Sequence, residues 1–283
     1  MMGEAVHETL NHPVPRSVVM TPVQGGSVVW RRFGEGPAVV LFHGGHGSWL
    51  HWARNIQALA LHFSVWVADL PGYGDSTAVP APHLSSIVQL SAHALDTAVG
   101  GDTEVKIVAF SFGSLVAAQL AHLRGGVDQL VLVGPAGHGG PSRPMGTLLP
   151  WRHLDPQDDR AALALVMRHN LCMHMLHSPQ SVDGLALQIH TTACVKTRFH
   201  SKRFSRSAAL LDVIDELKMP QMMIWGEHDV SADPELLASQ WSVRRADRRC
   251  VVLPHGGHWI AYERATEFNQ TVLSWLNGPA PRN

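Results

Sequence analysis

The chain is poor in charge and in cysteine. Only 16% of its 283 residues are charged, and 22 Lys plus Arg against 23 Asp plus Glu leave a formal net charge of -1. That balance offers no basic field to attract nucleic acid or an anionic membrane, so the expected partner is a small molecule, neutral or weakly charged. The three cysteines, Cys172, Cys194 and Cys250, are far apart, odd in number and outside any C-x-x-C spacing, which argues against a disulfide framework or a cysteine zinc site. They suit a reducing compartment. No run of about 18 apolar residues occurs that could span a bilayer. The opening MMGEAVHETLNHPVPR carries acidic residues and Pro where a signal peptide needs an apolar stretch. A soluble, cytoplasmic protein is expected, with no cofactor; self-association into a homo-oligomer is compatible with the sequence.

Apolar residues are plentiful at 45%, enough for a buried core and against intrinsic disorder. At about 150 residues per domain the length suggests two domains, but one α/β domain with an insertion fits equally well. Residues 17–33 place two β-branched runs around Gln24-Gly25-Gly26, the pattern of an antiparallel hairpin. Short, near-continuous apolar runs follow at 38–43, 63–70, 105–111, 129–135, 221–227 and 250–254. Such runs read as strands covered on both faces, and 114–123 and 267–276 between and after them carry helical periodicity. The implied architecture is α/β, a mostly parallel sheet flanked by helices. One connection, of roughly 85 residues between Pro135 and Gln221, far exceeds the usual loop of such units. It opens Gly/Pro-rich and continues with expected helices near 158–177 and 180–197, so we assign 136–210 to an inserted helical lid and 1–135 with 211–283 to the core.

The strand VKIVAFS runs directly into the helix FGSLVAAQLAHL, giving Ala109-Phe110-Ser111-Phe112-Gly113 at a strand-to-helix junction. Small residues two before and two after a serine allow the sharp turn of a nucleophile elbow, which exposes Ser111 above the sheet beside a helix N-terminus. A serine hydroxyl needs an adjacent base that is itself oriented by a carboxylate. Asp229 follows the strand in IWGEHD and His258 follows CVVLP, each just past a strand's C-terminal end, where open α/β sheets place their ligands. Alternatives stand beside each: Ser111 as a helix cap, Glu227 or Asp233 as the acid, His255 as the base. The Phe112 amide and one from the loop His43-Gly44-Gly45-His46-Gly47-Ser48, best Gly45, would form an oxyanion hole, with Gly44, His46 and Phe110 facing substrate. The set His169, Cys172, His174, His177 lacks a carboxylate, and its two pairs diverge around a helix, so no metal is assigned to it. The basic run Arg244 to Arg249 reads as a solvated rim.

From the 38–43 strand to the last helix the chain resembles the α/β-hydrolase superfamily. Within it, HGGHGSWLHWARNIQAL (43–59), DLPGYGDS (69–76) and GGHWIAYERATEFNQTVLSWL (256–276) are similar to the meta-cleavage product hydrolases, which cut carbon-carbon bonds in ring-fission products. The resemblance implies Ser111 as nucleophile, His258 as base and proton shuttle, Asp229 as orienter, Gly45 and Phe112 amides as oxyanion donors and Trp259 as pocket wall. Three departures stand out. Position 110 is Phe where the family commonly has Asn, and position 109 is Ala for Gly. The lid arginine that grips the substrate carboxylate falls at His190, with Arg198 as a substitute. A carboxylesterase uses the same constellation, and a ligand-binding or signalling protein of this fold with little turnover is a third reading.

Overall fold

The computed structural model describes residues 15–278, so the reading of the N-terminal segment lies largely outside the described residues. One sheet of eight strands organises the chain. The strands are β1 (Ser17–Val23), β2 (Gly26–Phe33), β3 (Ala38–Phe42), β4 (Ser64–Asp69), β5 (Val105–Phe110), β6 (Val127–Val133), β7 (Gln221–Gly226) and β8 (Arg248–Leu253). Their order across the sheet is β1-β2-β4-β3-β5-β6-β7-β8. The expected hairpin is β1 with β2, and β2 also pairs antiparallel with β4; from β4 to β8 every pairing is parallel. Solvent contact explains the two kinds of strand pattern. β4 and β7 are buried at every position, as continuous apolar runs require. The edge strand β1 alternates, leaving Val18 57% and Met20 61% exposed.

Each face of the sheet carries its own core. Helices Leu84–Val99, Phe112–Arg124 and Pro234–Ser242 cover one face through residues such as Ile87, Leu115 and Trp241. On the other lie the turns around Trp49 to Leu59 and the helices Ile260–Glu263 and Ala265–Asn277, packed through Trp52, Tyr262 and Phe268. The apolar stripe of Ala265–Asn277 therefore faces the sheet, as its periodicity predicts.

The long connection runs from β6 to β7 and carries helices Arg160–Asn170, Gly184–Lys196 and Lys202–Ser205. The first is shorter than expected: after Asn170 the backbone widens into a π turn over Leu171–Met175 and then extends at Leu176. A wide turn of this kind breaks the α spacing and re-aims side chains, here His174. Asp183 caps the next helix through the Ala186 amide at 2.8 Å and accepts the Tyr262 hydroxyl at 2.6 Å, fastening the connection to the C-terminal helices. No helix among the described residues is long and apolar enough to cross a membrane.

Candidate active site

β5 ends at Phe110, and the next residue turns the chain into the helix Phe112–Arg124. Ser111 takes φ +52° and ψ −119°, a conformation that costs a non-glycine residue about 1–3 kcal/mol. The neighbours enforce it: the Ser111 amide donates to Val133 at 2.8 Å, and its carbonyl accepts from Ser114 and Ala136 at 2.9 and 3.2 Å. Gly113 is obligatory in this turn, because a Cβ there would lie 2.4 Å from the His43 carbonyl oxygen. Ala109 in place of glycine is accommodated, fully buried within β5.

The loops after β7 and β8 bring the acid and base to this serine. His258 Nε2 lies 2.9 Å from Ser111 Oγ, and its Nδ1 lies 2.8 Å from Asp229 Oδ2. With Nδ1 donating to the carboxylate, Nε2 is free to accept the serine proton. Burial pushes the Asp229 carboxyl up, but the His258 ring and the Ser231 hydrogen bonds outweigh it and hold the group below its ordinary value. Asp229 is therefore an anion in a buried site. Ser231 was not anticipated from the sequence. Its amide and hydroxyl donate to Asp229 Oδ1 at 2.8 and 2.7 Å, and its oxygen lies 3.0 Å from His258 Nδ1. A serine two residues after an acid gives no distinctive signal in sequence. Nor does Gly134, after β6, where a Cβ would sit 3.0 Å from Asp229 Oδ2 and 3.1 Å from the His258 ring.

The competing groups lie elsewhere. Glu227 is partly exposed and accepts from the His255 amide at 2.9 Å. Asp233 caps the helix Pro234–Ser242, and His255 has a 74% exposed side chain. Ser111 occupies the cap position of its own helix, but its side chain makes no capping bond and points to His258 instead.

Above the serine, the Gly45 and Phe112 amides have no hydrogen-bond partner among the described residues, and a Cβ on Gly45 would lie 3.7 Å from the Phe112 Cβ. Two unpaired amide donors therefore sit on adjoining segments next to Ser111, one of them at a helix N-terminus. His43 braces their loop: Nδ1 donates to the Gly44 carbonyl at 2.8 Å and Nε2 accepts from the Leu70 amide at 3.0 Å. Burial lowers the His43 pKa, consistent with that neutral tautomer.

Ser111 and His258 open into a cavity of about 1150 Å³. Gly45, His46, Phe110 and His190 line it, as expected. Three assignments need correction. Gly44 is packed against Phe110 and Ser111, where a Cβ would lie 3.0 Å from each side chain, its amide donates to His51 Nδ1 at 3.3 Å, and it does not line the cavity. Arg198 is turned away, donating to the Ser76 carbonyl. Trp259 is fully buried, with Nε1 donating to the His51 carbonyl at 2.9 Å and its ring stacked 4.3 Å from Tyr262. Packing against the last helices claims the indole that the resemblance assigned to the pocket wall. The ring nearest His258 on that side is Phe110, 4.9 Å away.

The charge of the cavity is one-sided. Arg143, Arg152, Lys202 and Arg206 line it, and no Asp or Glu does. Arg143 has Asp233 at 3.8 Å, whereas Arg152, Lys202 and Arg206 have no ion-pair partner among the described residues. The deeper walls hold neutral imidazoles. Burial depresses His46 and His190 to about 4 and His174 to about 3, with Arg152 adding to the effect at His46. His174, aimed inward by the π turn, lies 5.3 Å from the His258 ring. His169 instead donates from Nε2 to the Thr147 carbonyl at 2.9 Å, and His177 stacks on His228. The net charge of -1 concealed this asymmetry, because the compensating acids lie outside the cavity.

A strained serine at a strand-to-helix turn thus lies within hydrogen-bond reach of a histidine that is itself bonded to a buried aspartate, the two carried by the loops after the last two strands of a mostly parallel sheet. Residues 37–265 match the family described as alpha/beta hydrolase fold, and the chain belongs to that family. Over 263 residues it is 30% identical to 2-hydroxy-6-oxononadienedioate/2-hydroxy-6-oxononatrienedioate hydrolase 1 of Dechloromonas aromatica, covering 84% of this chain and 86% of that one. Over 130 residues it is 35% identical to a pimeloyl-acyl-carrier-protein methyl ester esterase of Vibrio vulnificus, covering 45% of this chain and 46% of the esterase. Its fold matches the crystal structure of naproxen esterase from Bacillus subtilis with TM-score 0.73, covering 97% of this chain and 96% of that one at 18% identity.

Proposed function

We propose that the protein is a serine hydrolase that cleaves the carbon-carbon bond of a 2-hydroxy-6-oxo-dienoate-type ring-fission product. The observation that carries the chemistry is the unbroken relay from Asp229 through His258 to Ser111 Oγ, with bonds of 2.8 and 2.9 Å. Sequence likeness over 84% of the chain to a hydrolase of that substrate type, against 45% for a methyl ester esterase, supports carbon over oxygen as the leaving atom. A cavity with four cationic side chains and no carboxylate suits an anionic substrate.

In this mechanism the dienol first ketonises. His258 then takes the Ser111 proton as Oγ adds to the distal ketone, and the Gly45 and Phe112 amides hold the resulting oxyanion. The carbon-carbon bond breaks with its electron pair going to the dienol fragment, which receives the proton from His258. Water, deprotonated by His258, then releases the acid from Ser111. Asp229 keeps the imidazole oriented, with Ser231 supporting both groups. Neutral His190 replaces the arginine of the resembled family, and Arg152 takes the carboxylate. Its charge acts on both His46 and Cys194, which line the cavity from the β3 loop and from the helix Gly184–Lys196. Residues 136–210 act as the lid that shapes specificity.

The second reading is a carboxylesterase, favoured by Phe110 beside the serine, an apolar ring against His258 at 4.9 Å. The test is loss of dienolate absorbance from a 2-hydroxy-6-oxohexa-2,4-dienoate, with Ser111→Ala alongside. Fast, multiple-turnover loss that requires Ser111 is expected. Folded protein that leaves the dienolate intact but turns over short aryl esters would move the assignment to the esterase, and absence of both activities would favour a ligand-binding role.

A further inference from the structure

A second group of chemically active side chains, Glu227, His228 and His255, ranges from partly exposed to exposed. Glu227 and His228 directly follow β7, and His255 follows β8. One donor atom from each lies within 4.8 Å of the others. His228 Nε2 is 3.5 Å from Glu227 Oε2, and His255 Nδ1 is 4.0 Å from the same oxygen.

The backbone holds this arrangement. The Glu227 amide donates to the Leu253 carbonyl and the His228 amide to the Gly256 carbonyl, both at 2.8 Å. The His255 amide returns a bond to Glu227 Oε2 at 2.9 Å, and His255 sits at φ +58°, where a residue with a Cβ stays only if its surroundings enforce it. The His177 ring stacks on His228 with centroids 3.6 Å apart and planes at 15°, fixing the imidazole with Nε2 turned toward Glu227. Glu263 adds a carboxylate nearby, accepting from the His177 and Gly257 amides at 2.9 and 2.7 Å.

We propose that Glu227, His228 and His255 bind one borderline divalent cation, Zn2+ or a neighbour such as Co2+, tying the loop that carries Asp229 to the loop that carries His258. Two imidazoles and one carboxylate suit such ions, whereas Mg2+ and Ca2+ require mostly oxygen ligands. Bonds of about 2.0–2.1 Å in a tetrahedral zinc site put neighbouring donors about 3.3 Å apart. The Glu227 to His228 separation of 3.5 Å already meets that spacing, and rotation of the exposed His255 side chain closes the rest. Water would complete the coordination from the open side. The site is separate from the histidines of the cavity, and its ion is a structural clasp outside the hydrolytic steps.

The test is calorimetric titration of ZnCl2 into the full chain after EDTA treatment, with Co2+ absorption as a second readout. One saturable site per chain is expected, with a tetrahedral Co2+ band and a raised melting temperature, because an ion that binds only the folded state stabilises it. Glu227→Gln and the double change His228→Asn with His255→Asn should each weaken binding at least tenfold. Circular dichroism in EDTA checks that both variants are folded, and the near-isosteric Glu227→Gln serves if the double variant is not. Absence of a saturable site, or affinity within twofold of wild type in a folded variant, would overturn the proposal. The second result would place the ion on other histidines of this chain.

Discussion

The conformation of Ser111 allows activity and stability to be separated. Replacing Ser111 with Ala removes the hydroxyl and its 2.9 Å contact with His258 but keeps a Cβ at φ +52°, ψ −119°. Replacing it with Gly removes the same contact and also releases the strain, worth about 1–3 kcal/mol at such a position. Glycine gives back about 0.4–1 kcal/mol through the greater freedom of the unfolded chain. The Gly variant should therefore be more stable than the Ala variant by about 1 kcal/mol, with both expected to be inactive. With a urea slope near 3 kcal/mol/M, the midpoint should rise by about 0.3 M. Comparing the two inactive variants cancels the lost hydrogen bond. Equal midpoints, or a lower one for Gly, would refute the claim that the elbow stores strain for the sake of the nucleophile.

Other substitutions probe the relay and the cavity. Asp229→Asn should lower kcat by about 10³–10⁴ with little change in KM, since an amide in place of the acceptor favours the wrong imidazole tautomer; near wild-type steady-state rates would move the orienting role to another group. Arg152→Gln should raise KM for a carboxylate substrate about tenfold while sparing neutral aryl esters, as expected for one lost charge-assisted contact. A uniform loss on both substrates would contradict that assignment. The buried imidazole of His190, depressed from 6.5 to about 4, stays neutral in the fold while its unfolded counterpart takes up a proton. Its contribution to stability is unaffected above pH 6.5 and falls as pH drops toward 4, by about 2 kcal/mol at pH 5. His190→Gln should narrow the difference in stability between pH 7 and pH 5 by about that amount, measured by urea titration, and an unchanged difference would remove His190 from the acid limb.

Local chemistry made much of this protein legible from the amino-acid order. The sheet could be read because buried parallel strands must be apolar on both faces, as in β4 and β7. Ser111, Asp229 and His258 could be singled out because Ser111 directly follows β5 and the other two lie on short loops just past β7 and β8, so the parallel sheet carries all three to the same edge. The long helix expected over 158–177 failed at Asn170, because a π turn depends on tertiary packing and has no periodic signal. Resemblance misplaced Trp259, because whether an indole faces a cavity or a helix is settled by the packing around it, here by Tyr262 and the His51 carbonyl.

Sequence alone therefore determined the class of fold and the hairpin that opens the sheet, and it singled out the long connection between β6 and β7 and three residues that come within hydrogen-bond reach, since these follow from short-range periodicity and from positions close to strand ends. Only the tertiary structure decided which side chains reach the cavity, that Arg198 turns away while Arg152 lines it, that Ser231 supports both Asp229 and His258, and that Glu227, His228 and His255 converge. Those outcomes depend on how the β6–β7 connection folds back and how loops of different strands meet. Distances between residues far apart in the chain are set by packing, which no local pattern encodes.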